Sequence, residues 1–193
     1  SGTDHAAMQH PCFRDPHFKS AAPFAMRRCV RTLPAWSLPA LAAAACLLLP
    51  AEPAEARDSL GIFSDWGAFR DPAIPRCYAI AMARPSTRTR DYQPFASIGT
   101  WPRRDIRNQI HFRLSRKIAA GSSVTLRIGR GQQFELAGGG GDAWAQDKRM
   151  DAAIVAAMRS AGSMNVTARD ARGNSFTDSY DLGGAATAMD AAT

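Results

Sequence analysis

Alternation of apolar and polar residues with a period of two is the main pattern of the chain beyond residue 76. Ile110, Phe112 and Leu114 alternate with His111 and Arg113, as in a strand that buries one face. Further strands are predicted at 77–82, 95–101, 124–128, 134–136, 163–168 and 175–182. The pattern therefore predicts a mainly β domain.

Turn residues between these segments indicate that neighbouring strands run antiparallel. Gly129 and Gly131 separate two of the strands, and residues 170–174 separate the last two. Glycine favours the positive φ of tight hairpin turns. We expect mobile loops at 84–93 and at 137–141, the second because it holds four consecutive glycines. Neither loop has the strand and helix context of a phosphate-binding loop.

One segment has helical spacing instead. Its apolar stripe consists of Met150, Ile154, Val155 and Met158. Asp147 is placed to cap the start of this helix and Gly162 to end it. A second, short helix is predicted at 184–192. The fold class that follows is α+β, mainly β: a single antiparallel β-sandwich-like domain with one amphipathic helix packed on a sheet and a short C-terminal helix.

The first 56 residues have the composition of a secretory signal that starts at Met26. Arg27, Arg28 and Arg31 precede the apolar run 38–49, and Ala54-Glu-Ala56 supplies the small residues that signal peptidase requires. We therefore predict a signal peptide at 26–56 with cleavage after Ala56. Residues 1–25 are then an upstream extension outside the fold, and 57–193 form the exported domain.

Three other interpretations fit this segment less well. The run 38–49 is shorter than the roughly 20 apolar residues of a spanning helix and is flanked by Pro50, so we expect no transmembrane segment in the exported domain. Cys46 suggests a lipoprotein, but it lies inside the apolar run. Arg27-Arg28 suggests twin-arginine export, but Cys29 and Val30 do not fit that signal. General secretion to the periplasm or the medium agrees best with the pattern.

Charge is the strongest compositional feature of residues 57–193. They contain 17 Arg and two Lys against 13 acidic residues, a net charge of +6. A GC-rich genome and a binding function both account for so much arginine. A basic envelope protein is attracted to anionic lipid or polysaccharide. Nucleic acid is not an expected partner for an exported protein, and the sequence leaves the oligomeric state open.

Few residues are available for catalysis or metal binding. His111, Cys77 and Glu135 are the only residues of their types within 57–193, so we expect no zinc site and no cofactor. A Ser-His-Asp triad would need His111, which we expect at the surface. A thiolate–imidazolium pair of Cys77 with His111 is the remaining catalytic alternative. We predict that Cys77 is buried, unreactive and without an internal disulfide, because the other three cysteines precede residue 57.

A dense basic cluster is the candidate binding site. Its members are Trp101, Arg103, Arg104, Arg107, Arg113, Arg116 and Lys117. If the chain turns after Trp101, these side chains gather around one aromatic ring and suit anionic groups. The alternative is a solvated strand edge, where basic residues discourage aggregation.

The order of several motifs resembles the invasion associated locus B family of alphaproteobacterial envelope proteins. These are the signal segment, residues 63–69 (FSDWGAF), residues 76–81 (RCYAIA) and the ending 163–190. The resemblance implies a small, β-rich exported protein without established catalytic activity. Paired cysteines are common in that family, whereas 57–193 holds only Cys77, so a partner cysteine beyond Thr193 stays open.

The sequence thus predicts an exported, non-catalytic envelope protein of this type that binds a protein or an anionic envelope component. The alternative is a periplasmic enzyme of another type that uses Cys77 or His111.

Overall fold

Ten β-strands and two α-helices are seen in the computed structural model, which describes residues 57–193. The strands are β1 (Asp58–Phe63), β2 (Trp66–Asp71), β3 (Arg76–Met82), β4 (Phe95–Trp101), β5 (Ile106–Arg113), β6 (Val124–Ile128), β7 (Gln132–Gly139), β8 (Asp142–Trp144), β9 (Ser163–Arg169) and β10 (Ser175–Asp181). The helices are α1 (Lys148–Met158) and α2 (Ala185–Ala191), and a 3-10 turn spans Pro102–Arg104. The predicted signal peptide, its cleavage site and the upstream extension lie outside the described residues.

All ten strands pair antiparallel in the order β1-β2-β3-β4-β5-β8-β7-β6-β9-β10. The first half of the sheet is β1–β5 with β8, and the second half is β6, β9 and β10. Strand β7 belongs to both: Leu136 pairs with Val124 of β6, whereas Gly138 pairs with Ala143 of β8. A side chain at Gly138 would come within 2.7 Å of Val124 Cγ2, so glycine permits the close packing at this junction.

The two halves of the sheet share one apolar core. The ring of Phe112 in β5 lies 6.0 Å from that of Tyr180 in β10, and both side chains are fully buried. The halves also meet through backbone, since the Arg84 amide donates to the Ser179 carbonyl at 2.8 Å. The predicted mainly β, antiparallel, sandwich-like fold is confirmed.

Helix α1 closes the core beside β5. Asp147 caps it as predicted, accepting a hydrogen bond from the Met150 amide at 2.8 Å. Ile154 and Met158 of the predicted stripe are fully buried. Pairing with the short β8 stops at His111, and the next amide of β5, that of Ile110, donates to Asp151 of α1 at 2.8 Å. The helix thus replaces the strand that is missing at this point.

Helix α2 confirms the predicted C-terminal helix and packs on β1, β2 and β3. Gly184, with φ of 82°, lies so close to the Phe63 carbonyl that any side chain would collide with it. Nearby, the buried Trp66 ring donates from Nε1 to the Asp181 carbonyl at 2.8 Å. These contacts fix the end of the chain against its first strands.

Two features differ from the sequence prediction. The segment 137–141 is not a loop throughout, because β7 continues to Gly139 and β8 begins at Asp142. Strand pairing satisfies the backbone there although the glycines supply no side chains to pack. Strands β1 and β2 were not predicted, since glycines at 61 and 67 interrupt their alternation. None of the helices within 57–193 is long and apolar enough to cross a membrane.

Candidate functional site

The predicted basic cluster is divided between the two ends of β5. Arg103, Arg104 and Arg107 lie at the start of this strand, and Arg113 is its last residue. At about 3.3 Å per residue, Arg107 and Arg113 are roughly 20 Å apart. The expectation that all six basic side chains surround Trp101 is therefore wrong, because the segment between them is an extended strand.

The basic residues at the far end of β5 are held by acidic partners. Arg113 donates to Asp142 at 2.6 Å, and its guanidinium lies 3.9 Å from the ring centre of Tyr92. Arg116 donates to Asp170 at 2.7 Å. These ion pairs neutralise both guanidinium groups, so they stabilise the fold locally.

Lys117 and the loop around Asp170 belong to the same end. The backbone amide of Lys117 donates to Asp91 at 2.9 Å. Asp170 is buried, which disfavours its charge, yet hydrogen bonds from Asn174, Arg116 and Arg172 together lower the pKa of Asp170. An open groove of about 440 Å³ lies here, lined by Thr89, Asp91, Tyr92, Arg116, Lys117, Asp170, Ala171 and Arg172. Two acidic and three basic residues line it, so its charges largely cancel.

The near end of β5 is the tip of the β4–β5 hairpin and has a defined shape. Asp105 and Asn108 both have positive φ, 52° and 53°, which is uncommon for residues other than glycine. The Asp105 amide donates to the Pro102 carbonyl at 3.3 Å, and the Asn108 amide donates to Thr100 Oγ1 at 3.3 Å. The strand register shifts between Gly99 and Trp101. Strained backbone of this kind is frequent at functional sites.

Arg103 and Arg104 differ from most other arginines of the domain. Both are exposed, and neither forms a hydrogen bond or an ion pair with any residue in 57–193. The half-buried Trp101 ring lies over Gly99, at which a Cβ atom would be 2.5 Å from it. We call Trp101, Arg103, Arg104 and Arg107 the arginine tip. The structure brings these four predicted residues together and separates them from the other three.

Cys77 and His111 do not form a catalytic pair. Cys77 points into the core beside Thr100 and is 1% exposed, whereas His111 stands on the outer face of the same sheet. The predicted burial of Cys77 is confirmed. In the full chain Cys77 is disulfide-bonded, whereas the prediction of no internal disulfide concerns residues 57–193 alone, which hold no second cysteine.

His111 instead belongs to an aromatic cluster that sequence reasoning missed. Its Nε2 atom lies 3.0 Å from Asp142, its ring stacks on Trp144 at 5.4 Å, and the Phe95 ring meets it edge-on at 5.5 Å. Asp142 therefore contacts both His111 and Arg113. The sequence gives no signal for this cluster because Asp142 and Trp144 follow the glycine run and come together with β5 only through strand pairing.

The outer face of the first half carries more apolar side chains than that of the second half. One cross-strand row consists of Ile62, Gly67, Ile80, Ser97, His111 and Trp144. The corresponding row of the second half consists of Glu135, Thr125, Thr167 and Thr177. Two outer faces of one small domain thus differ in chemistry, and the first exposes Ile62, Met82 and Trp144 to solvent.

Two buried polar side chains of β10, Asp178 and Tyr180, lie between the two sheet halves. Asp178 accepts a hydrogen bond from the Ser115 amide at 2.8 Å. Burial raises the pKa of Asp178, although its bonds to Ser115 oppose the shift, and burial likewise raises the pKa of Tyr180. The Tyr180 hydroxyl has no hydrogen-bond partner within 57–193. Both side chains are buried, so we assign them to the core.

Metal binding finds no support within residues 57–193, where no three His, Cys, Asp or Glu side chains are grouped to hold an ion. Comparisons with known proteins supply no further constraint. No family model matches the chain, and neither a curated protein nor a solved structure matches it. The function is therefore argued from the arginine tip and the aromatic cluster.

Proposed function

We propose that this chain is an exported, non-catalytic envelope protein of the invasion associated locus B type, which binds an anionic envelope component through the arginine tip. The observation that carries the proposal is the pair Arg103 and Arg104, two exposed guanidinium groups beside Trp101 that have no acidic partner within 57–193. The resemblance of the sequence motifs supports the family and the export.

The chemistry of the tip suits an anion. Guanidinium groups donate paired hydrogen bonds that match carboxylate and phosphate oxygens. The short 3-10 turn between Pro102 and Arg104 holds the two arginines on consecutive positions of a fixed backbone. Asp105 is the one acidic residue in 101–107, which also holds three arginines, so the tip retains a net positive charge. A preformed site loses less conformational freedom on binding than a flexible loop does.

The other basic residues of the predicted cluster have a different role in this proposal. Arg113 and Arg116 already bind carboxylates, and a ligand anion would have to displace Asp142 or Asp170. Displacement would leave a charge without its partner. We therefore assign binding to Arg103, Arg104 and Arg107 and local stabilisation to Arg113 and Arg116.

The test is binding of the purified full-length protein to an acidic polysaccharide and to anionic phospholipid vesicles, at low and high salt. The triple variant Arg103→Ala, Arg104→Ala, Arg107→Ala should bind at least about tenfold more weakly at low salt and lose most of the salt dependence, because screening acts on the charges removed. Its melting temperature should stay close to wild type, since the three side chains are exposed and surface substitutions usually change stability by about 0.5 kcal/mol or less.

A matched control removes the same charge elsewhere. Arg130, Arg149 and Arg172 are exposed and distant in sequence from the tip. Replacing all three by Ala should leave most of the binding intact. Equal losses in both triple variants would mean that net charge alone attracts the ligand. If the wild type bound neither of the two probes at low salt, the proposal would be excluded.

A further inference from the structure

We infer that the anionic partner is an acidic polysaccharide, whose sugar rings stack on the aromatic cluster of β4, β5 and β8 while its acidic groups bind the arginine tip. This inference rests on the proposed function and names the class of ligand. It depends on three observations: the contrast between the outer faces, the fixed polar groups among the rings, and the continuity of the aromatic surface with the tip.

The contrast between faces indicates that the first face is used. Threonine and other polar residues cover the outer face of the second half, as is usual for a sheet that faces water. On the first half, Trp144 is 39% exposed and stacks on His111, with Phe95 at the edge of the imidazole. Exposed apolar patches that polar residues border are typical of interaction sites.

Polar side chains within the aromatic cluster favour a sugar over a protein partner. Asp142 and Arg113 lie among the rings, partly exposed, and hold each other at 2.6 Å. Tyr92 packs under the Arg113 guanidinium at 3.9 Å and adds a hydroxyl. Acidic residues such as Asp142 are depleted at the centres of protein interfaces. A sugar ring instead offers C–H groups to an aromatic face and hydroxyls to donors and acceptors, which this surface supplies together.

The same surface continues to the arginine tip. Outward positions of β4 after Phe95 are Ser97 and Gly99, both small, and the Trp101 ring lies over Gly99. From Phe95 to Trp101 the strand covers about 20 Å. This is an elongated path with aromatic rings near both ends and, at one end, the exposed guanidinium groups of Arg103 and Arg104. A polymer with acidic groups fits such a path better than a single small anion does.

A lipid bilayer explains these features less well. Interfacial binding depends on apolar side chains that insert into the acyl region and on basic residues around them. Here the ion pair of Asp142 with Arg113 lies among the rings, and insertion of the rings into the acyl region would take both charges out of water. The arginine tip alone is compatible with a bilayer, so the two sources of anionic groups must be distinguished by experiment.

The experiment compares full-length wild type with Trp144→Ala and Trp144→Phe for binding to polygalacturonate, to neutral dextran and to anionic phospholipid vesicles. Polygalacturonate should bind wild type and perturb its tryptophan fluorescence. Trp144→Ala should weaken this binding by about tenfold with the salt dependence retained, and Trp144→Phe should restore most of it because a ring is present. Dextran should bind weakly, since it lacks charge for the tip.

Ile62→Ala is the matched control. Ile62 is 67% exposed on the same outer face but lies in β1, roughly 24 Å across the sheet from Trp144, so its removal should not change polysaccharide binding. Binding of vesicles but not of polygalacturonate would overturn this inference and leave the proposed function standing. Binding of no anionic probe would remove both. Dimerisation that Trp144→Ala abolishes, without polysaccharide binding, would identify a second copy of the chain as the occupant and overturn the inference.

Discussion

Asp151 of α1 and Ile110 of β5 are joined by a 2.8 Å hydrogen bond, in which the Ile110 amide donates to the carboxylate. The bond lies where β8 ends and where β5 would otherwise leave an amide unpaired. Burial raises the pKa of Asp151, and the nearby Asp147 adds to the shift, while the bond from Ile110 opposes it. The acid is thus retained at an electrostatic cost because it completes the sheet.

Asp151→Asn should make stability less dependent on pH. The folded pKa lies above the unfolded one, so the fold binds the proton more tightly and loses stability as pH rises through the raised pKa. Asparagine keeps an acceptor for Ile110 without the buried charge. Urea unfolding at acidic and neutral pH should show a smaller difference for this variant than for wild type. An unchanged difference would mean that other groups cause the pH dependence.

Asp151→Ala is the informative partner of that variant. It leaves the Ile110 amide buried without an acceptor, which costs about 1–3 kcal/mol. We therefore expect it to be less stable than Asp151→Asn by that amount in urea unfolding at neutral pH. Equal stability of the two would show that water or a shifted side chain replaces the carboxylate.

Gly184→Ala and Gly173→Ala separate the effects of backbone conformation and of space. Both glycines have nearly the same positive φ, 82° and 85°. Only Gly184 is crowded, by the Phe63 carbonyl, whereas a Cβ atom at Gly173 meets no atom within 4 Å. Gly173→Ala should cost about 1 kcal/mol from φ alone. Gly184→Ala should lower stability by several kcal/mol or prevent folding. Thermal unfolding measures both variants, and a similar loss of stability in the two would refute the steric argument.

Trp66→Phe and Trp66→Ala test the contact between β2 and the end of β10. Trp66 is fully buried, and its Nε1 donates to the Asp181 carbonyl. Trp66→Phe removes this hydrogen bond and should lower the free energy of unfolding by about 1 kcal/mol. Trp66→Ala also leaves a cavity and should lower it by about 3–5 kcal/mol in total. Trp144→Phe, on the outer face, should change stability by less than about 0.5 kcal/mol. Denaturant unfolding of the three variants gives the comparison.

Export and the state of Cys77 can be tested together, because cleavage after Ala56 removes every other cysteine. Protein exported by a native host should begin at Arg57 and carry one thiol. That thiol should react with a labelling reagent only after denaturation, since Cys77 is 1% exposed. Intact mass and thiol counting provide the measurement. A product that retains upstream sequence, with Cys77 disulfide-bonded, would refute the predicted cleavage.

The sequence predicts well those elements whose signals lie within their own segment of the chain. Asp147 and the stripe through Ile154 indicate α1 without knowledge of the rest of the chain, and the alternation around Phe112 does the same for β5. Strand β8 was missed because three residues are too few to show a period. Its position between β5 and β7 depends on pairing with distant strands, which no local pattern encodes.

The candidate site shows the same division. Trp101, Arg103 and Arg104 are neighbours in sequence and remain together at the hairpin tip. Arg113 was grouped with them by proximity in sequence, but the extended geometry of β5 moves it to the other end. Its true partners, Asp142 and Tyr92, come from elsewhere in the chain. Side chains brought together by strand pairing require the fold to be known first.

The order of strands in the sheet has a consequence for how the chain acquires its structure. β1 to β5 are neighbours both in sequence and in space, so this meander can form from chain that has already emerged from the ribosome. β8 must then enter between β5 and β7, and Tyr180 must arrive to pack against Phe112. Until that late segment is synthesised, the meander exposes its inner face, and we expect nascent chains to need protection from aggregation during this interval.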